Sequence, residues 1–314
     1  MEDVIGAARR ILAAGWRRVL VLGPSDIGKS WLCRHLSEAL AAAGRRVVVV
    51  DTDIGQKIVG PPAAVTLCHA RPGLDLFAAR PERLAFVGAT SPIGHFLPLI
   101  LGAAALVASA AGAEVTVIDT GGLVAGPGFP LKLHKIAALR PDCLIALERA
   151  GELAALLQAN RHIPALKLPP APEVRPRSRE ERAAARAERF ARYFADAATA
   201  ELAMADLIVQ PFGLWPQRSR EAAAVAVTRP LDYLSSRPGL LCGLADGRGE
   251  GLGLARLDSV DRRRHTLRVV TPVPAGRVRI LQLGALRIGP DGGEIDRGPG
   301  RPHIGRNHDR EEAP

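Results

Sequence analysis

An eight-residue segment near the start of the chain combines residue types that together bind phosphate. In order it reads Gly23, Pro24, Ser25, Asp26, Ile27, Gly28, Lys29 and Ser30. The glycines let backbone N–H groups turn toward an anion, the lysine can reach the β- and γ-phosphates of a nucleotide, and the serine hydroxyl can ligate magnesium. The sequence therefore predicts a nucleoside triphosphate, bound with Mg²⁺, as a ligand.

The segments on either side of this loop have the pattern that the chemistry needs. Residues 17–22 form an apolar run typical of a buried strand, and residues 31–43 carry apolar residues at helical spacing. A strand, a glycine loop and a helix in that order place the helix N-terminus, with its partial positive charge, at the phosphates. This context favours a phosphate-binding loop over a glycine turn that merely carries an exposed lysine.

Further apolar runs alternate with helical patterns and predict an α/β fold. Strands are expected at 45–50, 84–87, 115–118 and 143–147, with helices near 96–112 and 131–139 between them. This alternation is typical of the P-loop NTPase architecture, a parallel sheet sandwiched by helices. Ligands bind beyond the carboxyl ends of such strands, where loops 23–30, 51–56, 88–92 and 119–122 should meet in one crevice.

A second set of basic residues lies on a helix predicted over 178–198, after a proline-rich connection. The arginines at three- and four-residue spacing, which share one stripe of the helix, are Arg179, Arg182, Arg186 and Arg189. Such a stripe can bind phosphate, and we interpret it as a lid over the phosphate loop. The alternative is a solvated helix whose arginines pair with Glu180, Glu181 and Glu188.

The pattern divides the chain into three parts. Residues 1–224 form the P-loop domain with the lid helix, and residues 225–288 change to short alternating segments that predict a small β-rich C-terminal domain. Residues 289–314 are rich in glycine, proline and charge and are expected to be disordered.

Composition restricts the setting in which the protein works. The formal net charge is +10, which fits a polyanionic partner such as nucleic acid, although 37 of the 42 basic residues are arginines and genome composition alone can produce that excess. The four cysteines have neither paired nor zinc-ligand spacing. The acidic N-terminus argues against export, and the apolar stretch at 96–113 is interpreted as a buried helix. We expect a cytoplasmic protein without a membrane segment.

Several short motifs, in this order, resemble those of the P-loop polynucleotide 5′-hydroxyl kinases, the family of the kinase subunit of the pre-mRNA cleavage complex and of ribosomal-RNA processing kinases. The matching segments are the phosphate loop, Asp53-Ile54-Gly55-Gln56, Gly88-Ala89-Thr90-Ser91-Pro92, Asp119-Thr120-Gly121-Gly122 and the arginine helix with its Arg192-Tyr193-Phe194. The resemblance covers about residues 17–288. It implies transfer of the ATP γ-phosphate to the 5′-hydroxyl end of RNA or DNA, with protein partners unspecified.

The resemblance also implies roles for particular residues. Asp53 is expected to orient and deprotonate the 5′-hydroxyl, while Lys29 and the loop amides hold the donor phosphates. Lid arginines Arg177, Arg182 and Arg186 would stabilise the transition state. The remaining expected roles are magnesium ligation by Ser30, Asp51 and Asp119, and acceptor binding by Gln56, Thr90 and Ser91. Within the acceptor, the resemblance assigns to Thr90 the phosphate next to the accepting sugar.

Some of these assignments have alternatives. Asp51 could be a structural turn residue, and Thr90 could cap a helix. Leu123 stands where kinases of the cleavage complex have a tryptophan that stacks on a base, so that Phe129 or Trp215 would have to replace it. An ATPase or GTPase switch and a catalytically silent scaffold are the competing functions; the chain has no Asn-Lys-x-Asp guanine motif.

Overall fold

A mixed sheet in the first half of the molecule carries the phosphate loop. The computed structural model describes residues 1–171, 174–212 and 225–296. The elements up to residue 168 are α1 (Glu2–Ala14), β1 (Arg18–Leu22), α2 (Lys29–Ala42), β2 (Val47–Asp51), β3 (Ala64–Ala70), β4 (Arg83–Phe86), α3 (Phe96–Ser109), β5 (Val115–Asp119), α4 (Gly128–Leu139), β6 (Cys143–Leu147), α5 (Ala154–Ala159) and β7 (Ala165–Leu168).

The strand order of this sheet is β4-β3-β2-β5-β1-β6-β7. From β2 to β7 all neighbours are parallel, whereas β3 and β4 are antiparallel additions at one edge. The predicted α/β fold is confirmed. Strand β3 was not expected from the sequence, and because of it the predicted strand near 84–87 runs antiparallel to its neighbour.

Helices cover both faces of this sheet, and its central strands are buried on both sides. In β1, Val19 and Val21 face one apolar core and Leu20 and Leu22 face another. Burial of both faces explains why these strands are continuous apolar runs without alternation. In the described ranges, no helix has both the length and the apolar character needed to cross a bilayer.

A second, largely antiparallel sheet follows the arginine helix. The later elements are α6 (Arg179–Tyr193), β8 (Ala198–Ala203), a 3₁₀ turn (Met204–Asp206), β9 (Ile208–Gln210), α7 (Pro230–Ser235), β10 (Leu240–Ala245), β11 (Gly251–Asp261), β12 (Thr266–Thr271), a second 3₁₀ turn (Ala275–Arg277), β13 (Ile280–Ile288) and β14 (Glu294–Asp296). The order is β14-β13-β10-β11-β12-β8, with β9 parallel to β13.

The limits of this part differ from the predicted ones. Two of its strands, β8 and β9, come from before residue 225, and helix α6 ends at Tyr193 because the chain enters β8 at Ala198. Residues 294–296 form a strand within the segment that was expected to be disordered, because they pair with β13. Residues 297–314 lie outside the described residues.

The two sheets pack closely where β10 approaches β4. A Cβ atom at Gly243 would lie 2.6 Å from Cγ of Phe86, so a larger residue there would separate the sheets. Helix α6 is attached to the second sheet, since Phe190 is fully buried and Tyr193 Oη accepts a hydrogen bond of 2.8 Å from the backbone N–H of Leu254. This attachment fixes which side of α6 faces the phosphate loop.

Candidate active site

A cavity of about 910 Å³ lies at the carboxyl ends of β1, β2 and β5. Helices α4 and α6 provide further walls. The predicted site residues that line it are Ser25, Asp26, Gly28, Lys29, Ser30, Asp53, Gln56, Thr90, Ser91, Arg177, Arg182 and Arg186. Segments that were predicted separately, and that lie as far apart in the chain as Ser25 and Arg186, thus meet in one place.

The phosphate loop has the conformation that an anion site requires. Gly28 has φ of +96°, and a Cβ there would lie 2.3 Å from Cβ of Ala171, so only glycine fits. Helix α2 begins at the next residue, which directs its N-terminus at the loop. Lys29 is 6% exposed and donates to the carbonyl of Pro24 at 2.6 Å. Its burial lowers its pKa, an effect that the nearby Asp119 opposes.

Ser30 and Asp119 form a pair of oxygen groups beside the loop. The Ser30 hydroxyl donates to Oδ2 of Asp119 at 2.9 Å, and Asp119 is fully buried. Burial, followed by the negative charge of Asp51, raises the pKa of Asp119 to about 7. The described residues hold no cluster of three or more side chains of the kinds that ligate metals. A hydroxyl and one carboxylate fit Mg²⁺ that arrives with the nucleotide and keeps phosphate and water ligands.

The contacts of Asp51 differ from those that its predicted role as a magnesium ligand requires. Its Oδ1 accepts from the backbone N–H of Asp53 at 3.0 Å and lies 3.1 Å from Nζ of Lys57, while Oδ2 accepts from the N–H groups of Ile58 and Val59 at 2.7 and 3.2 Å. Both oxygens are therefore occupied, and the carboxylate is fully buried. The geometry does not support Asp51 as a magnesium ligand; it matches the alternative of a residue that holds the turn.

Asp53, in contrast, presents a carboxylate to the cavity. The N–H groups of Gly55 and Gln56 donate to its Oδ1 at 2.9 and 3.0 Å. In the described part of the chain these bonds reach Oδ1 and not Oδ2. Oδ1 is thus fixed, whereas Oδ2 has no hydrogen-bond partner among the described residues, and a carboxylate oxygen of this kind in a cavity wall can accept a proton from a bound hydroxyl. The amide of Gln56 donates to the carbonyl of Arg182 at 3.3 Å and so joins this loop to helix α6.

Helix α6 brings its arginines over the cavity. Ser178 begins the helix with a capping box, in which its hydroxyl accepts from the N–H of Glu181 and the Glu181 carboxylate accepts from the N–H of Ser178. Arg182 forms an ion pair with Asp26 of the phosphate loop, and Arg177 lines the same cavity. The alternative of a solvated helix describes only its ends, where Arg175 pairs with Glu181 and Arg192 with Glu188.

The segment at 88–92 also reaches the cavity, but its threonine has a partner that was not expected. Thr90 Oγ1 donates to Oε1 of Glu294 at 3.2 Å, and Arg186 Nε donates to the same oxygen at 2.6 Å. Glu294 belongs to β14 of the second sheet. Two groups predicted to bind phosphate thus share one carboxylate from the C-terminal part of the chain.

Comparison with known proteins places this arrangement in a family. The family model of the P-loop of the mRNA cleavage and polyadenylation factor CLP1 matches residues 23–196. The chain belongs to the CLP1 P-loop family. The matched range begins at the phosphate loop and ends just after α6, and it confirms the resemblance inferred from the motifs.

Several curated relatives of this CLP1-family chain are named polyribonucleotide 5′-hydroxyl-kinases. The protein MJ1315 of Methanocaldococcus jannaschii is 28% identical over 322 residues, which cover 88% of this chain and 89% of the relative. PF0112 of Pyrococcus furiosus is 29% identical, with 94% of both chains covered. Clp1 of Xenopus tropicalis is 32% identical over 191 residues, 56% of this chain and 44% of the relative.

A solved structure shows that the fold is shared. A chain of the wild-type Clp1p–Pcf11p complex superimposes with a TM-score of 0.69 at 16% identity, covering 91% of this chain and 79% of the other. The similarity therefore extends over both sheets of the CLP1-family chain.

Three features of the cavity were not predicted from the sequence. Lys132 and Lys135 of α4 line it although both are 1% exposed, and Glu294 reaches Arg186 and Thr90. The third is Phe77, whose ring centroid lies 4.5 Å from the guanidinium carbon of Arg34 and 4.6 Å from that of Arg189. The scarcity of lysine was a usable signal, because four of the chain's five lysines line this cavity.

An aromatic residue that lines the cavity and could stack on a base is Trp31, whereas Phe129 and Trp215 were the candidates from the sequence. Leu123 lines the cavity, as does Trp31, whose ring centroid lies 4.2 Å from that of His35. Phe129 packs against the apolar core instead. Trp215 lies outside the described residues.

Proposed function

We propose that the protein is an ATP-dependent polynucleotide 5′-hydroxyl kinase that acts on RNA. The observation that carries this proposal is that one cavity is lined by the phosphate-loop Lys29, by Asp53, whose carboxylate is fixed through Oδ1, and by Arg182. A nucleotide switch needs the phosphate loop alone, whereas a kinase also needs a base for its acceptor. The names of the archaeal relatives give the acceptor class, RNA with a 5′-hydroxyl.

The donor side of the reaction depends on the loop and the start of α2. The loop N–H groups and Lys29 hold the β- and γ-phosphates, which fixes the γ-phosphorus with respect to Asp53. Ser30 and Asp119 would hold Mg²⁺, which supplies charge neutralisation for the phosphate oxygens. Phosphoryl transfer asks the protein for positioning and for positive charge more than for covalent chemistry.

The acceptor side depends on Asp53. Its carboxylate accepts the proton of the 5′-hydroxyl while that oxygen attacks the γ-phosphorus, and the bond from this phosphorus to the β,γ-bridging oxygen breaks to release ADP. Gln56 and the segment with Thr90 and Ser91 position the acceptor. Arg177, Arg182 and Arg186 place positive charge where it develops on the transferred group. For Arg182 this requires exchange of Asp26 for the γ-phosphate.

Assay of phosphate transfer tests the proposal directly. Protein with γ-labelled ATP and Mg²⁺ is expected to label an oligoribonucleotide that bears a 5′-hydroxyl, and to leave a matched 5′-phosphorylated strand unlabelled. A DNA strand of the same sequence measures the preference for RNA. Label that appears only as inorganic phosphate would instead support a nucleotide switch.

Asp53→Asn provides the matched variant, because it keeps the size of the side chain and removes the base. Transfer is expected to fall by about 10²- to 10⁴-fold, while ATP binding measured by equilibrium titration is retained. A near-native rate in this variant would remove Asp53 from the proposed role.

The predicted cytoplasmic location is part of this proposal. Its support is that the four cysteines are unpaired and buried thiols, as a reducing compartment would leave them.

A further inference from the structure

The lysines of this chain are concentrated at one site. Arginine outnumbers lysine 37 to 5, yet four of the five lysines line the cavity, and each is at most 6% exposed. The fifth, Lys167, is exposed and pairs with Glu148. A lysine ammonium is compact and has three rotatable donors, whereas the arginine guanidinium is a wide planar fork. The cavity therefore keeps lysine at positions where the shape of the cation matters.

The four buried lysines fall into two classes according to their partners. Lys57 is neutralised by Asp51 at 3.1 Å. Lys29 donates to the Pro24 carbonyl at 2.6 Å, Lys132 to the Gly121 carbonyl at 2.5 Å and Lys135 to the Thr52 hydroxyl at 2.8 Å. Among the described residues, none of these three has a carboxylate oxygen within 4 Å.

A buried ammonium without a counter-ion is costly unless an anion joins it. For Lys29 that anion is the nucleotide, according to the proposed function. Lys132 and Lys135 have the same pattern of burial and the same kind of neutral partner. Burial, reinforced by the neighbouring ammonium groups of Lys135 and Lys29, holds the pKa of Lys132 well below its usual range. Burial lowers the pKa of Lys135 to about 8, although the negative charges of Asp53, Asp119 and Asp51 act to raise it. An anion bound between Lys132 and Lys135 would raise the pKa values of both.

The position of this lysine pair points to the acceptor side. The two residues are three apart in α4 and so lie on one face of it. Their partners border Asp53, since Thr52 precedes it and a Cβ at Gly121 would lie 3.5 Å from its carboxylate. A hydroxyl held by Asp53 would thus bring the remainder of its nucleotide close to the lysines.

We propose that Lys132 and Lys135 bind the phosphate on the 3′ side of the first acceptor nucleotide, so that the enzyme selects acceptors that carry this phosphate. The inference rests on the proposed function and names a specificity site within it. Resemblance to the kinase family assigned this phosphate to Thr90, but the Thr90 hydroxyl lies 3.2 Å from the Glu294 carboxylate. The Thr90 hydroxyl is uncharged and lies beside the Glu294 carboxylate, whereas the two lysines carry the positive charge that a phosphate needs.

The smallest acceptors isolate this contact. Uridine and uridine 3′-monophosphate differ only in the group in question, and the wild-type protein is expected to show a KM about 10- to 100-fold lower for the 3′-monophosphate. In Lys132→Met/Lys135→Met the ratio of the two KM values should fall to about one, while the KM for ATP changes by less than about threefold. Lys167→Met, the matched control, should keep the wild-type ratio.

Loss of folding is separated from loss of charge by a second variant. Lys132→Gln retains a donor for the Gly121 carbonyl, and its melting curve reports whether the fold is intact. Equilibrium titration with uridine 3′-monophosphate and no ATP should show weaker binding than in the wild type by at least about tenfold.

The outcomes are distinct for the two proposals. Transfer by the wild type together with an unchanged preference for the 3′-phosphate in the double variant, or unchanged binding in folded Lys132→Gln, overturns the lysine assignment and leaves the kinase intact. If the wild type transfers phosphate to no acceptor, long or short, the kinase proposal fails and the lysine assignment fails with it.

Discussion

The two walls of the cavity use different cations. The wall on the side of the first sheet, which the phosphate loop and helix α4 form and which we call the sheet wall, carries the buried lysines Lys29, Lys132 and Lys135. These lysines donate to neutral oxygens. The helix wall, formed by α6, carries Arg182 and Arg186, which are paired with Asp26 and Glu294. Their side chains are 33% and 11% exposed. The sheet wall is thus ready for anions, whereas the helix wall must exchange an acidic partner for the anion that it binds.

This difference has a chemical reason. Burial shifts the pKa of a lysine readily, so a lysine that meets an anion in a closed site can respond to it. An arginine remains charged at any physiological pH, which suits a segment that binds and releases phosphate at the cavity rim. We therefore expect that the exchange of one cation for another lowers activity more at the lysines of the sheet wall than at the arginines of the helix wall.

The largest effect is expected at Lys29. Lys29→Arg keeps the charge but needs room for a planar fork at a position that is 6% exposed. Transfer should fall by more than about 10³-fold, measured under single-turnover conditions. Lys167→Arg, at an exposed position, should retain the wild-type rate. If Lys29→Arg stayed within tenfold of the wild type, the two walls would not differ in the way described.

Arg182 should behave differently when exchanged. Arg182→Ala is expected to lower kcat by about 10²- to 10³-fold, because it removes charge from the transition state. The KM for ATP should change by less than about threefold, and Arg182→Lys should recover part of kcat. Steady-state kinetics with varied ATP separates the two constants. Equal losses in kcat and in ATP affinity would indicate plain nucleotide binding.

Magnesium binding should depend on pH through Asp119 of the sheet wall. The pKa of Asp119 is raised to about 7, so protons compete with the metal below that pH. Between pH 6 and pH 8 the affinity for Mg²⁺ in the presence of ADP should rise about tenfold, as measured by calorimetry. Burial raises the pKa of Asp119 in the folded protein from 3.8 to about 7, so between these pH values the folded state binds more protons than the unfolded state. The free energy of unfolding of the metal-free protein should therefore fall as the pH rises through this range.

Two variants test that assignment. Asp119→Asn should reduce the pH dependence of magnesium binding to the part that the terminal phosphate of ADP contributes, and Arg182→Ala should leave the wild-type dependence unchanged. A dependence in Asp119→Asn as large as that of the wild type would assign the titration to another group.

The smallest effect is expected at Asp26, the acid that the helix wall must give up. Asp26 has φ of +53°, a conformation that asparagine also adopts, so Asp26→Asn should preserve the loop. Without this competitor Arg182 is freer to meet the nucleotide, and the KM for ATP should fall by about two- to fivefold. A rise in the KM for ATP would show that the ion pair with Asp26 holds Arg182 in position for the nucleotide, and does not compete with the nucleotide for Arg182.

Sequence patterns were sufficient to predict the parts of the fold that depend only on neighbouring residues in the chain. The phosphate loop follows a buried strand and precedes a helix, and each of those patterns is contained within a few residues. Strand β3 (Ala64–Ala70) was missed because its apolar character is short and its antiparallel pairing with β2 is decided by tertiary contacts. The end of α6 was misplaced because Ala198–Ala203 is compatible with a helix until it pairs with β12.

The candidate site was predictable where one residue acts alone, and less so where partners decide its role. Asp51 and Asp53 have the same side chain two positions apart, and only the turn geometry shows that Asp51 is saturated while Asp53 keeps an oxygen for the cavity. Lys132 and Lys135 lie in a helix that was expected near 131–139, but lysine in a helical pattern normally indicates a solvent-exposed face.

The carboxylate of Glu294 has a consequence for how the molecule is made. It bonds to Arg186 and Thr90, which lie 108 and 204 positions away along the chain. During synthesis the nucleotide-holding half leaves the ribosome long before this strand does, so a growing chain has its triphosphate site before Glu294 can meet Arg186 and Thr90. Synthesis of strand β14 is therefore the step that allows this network to form.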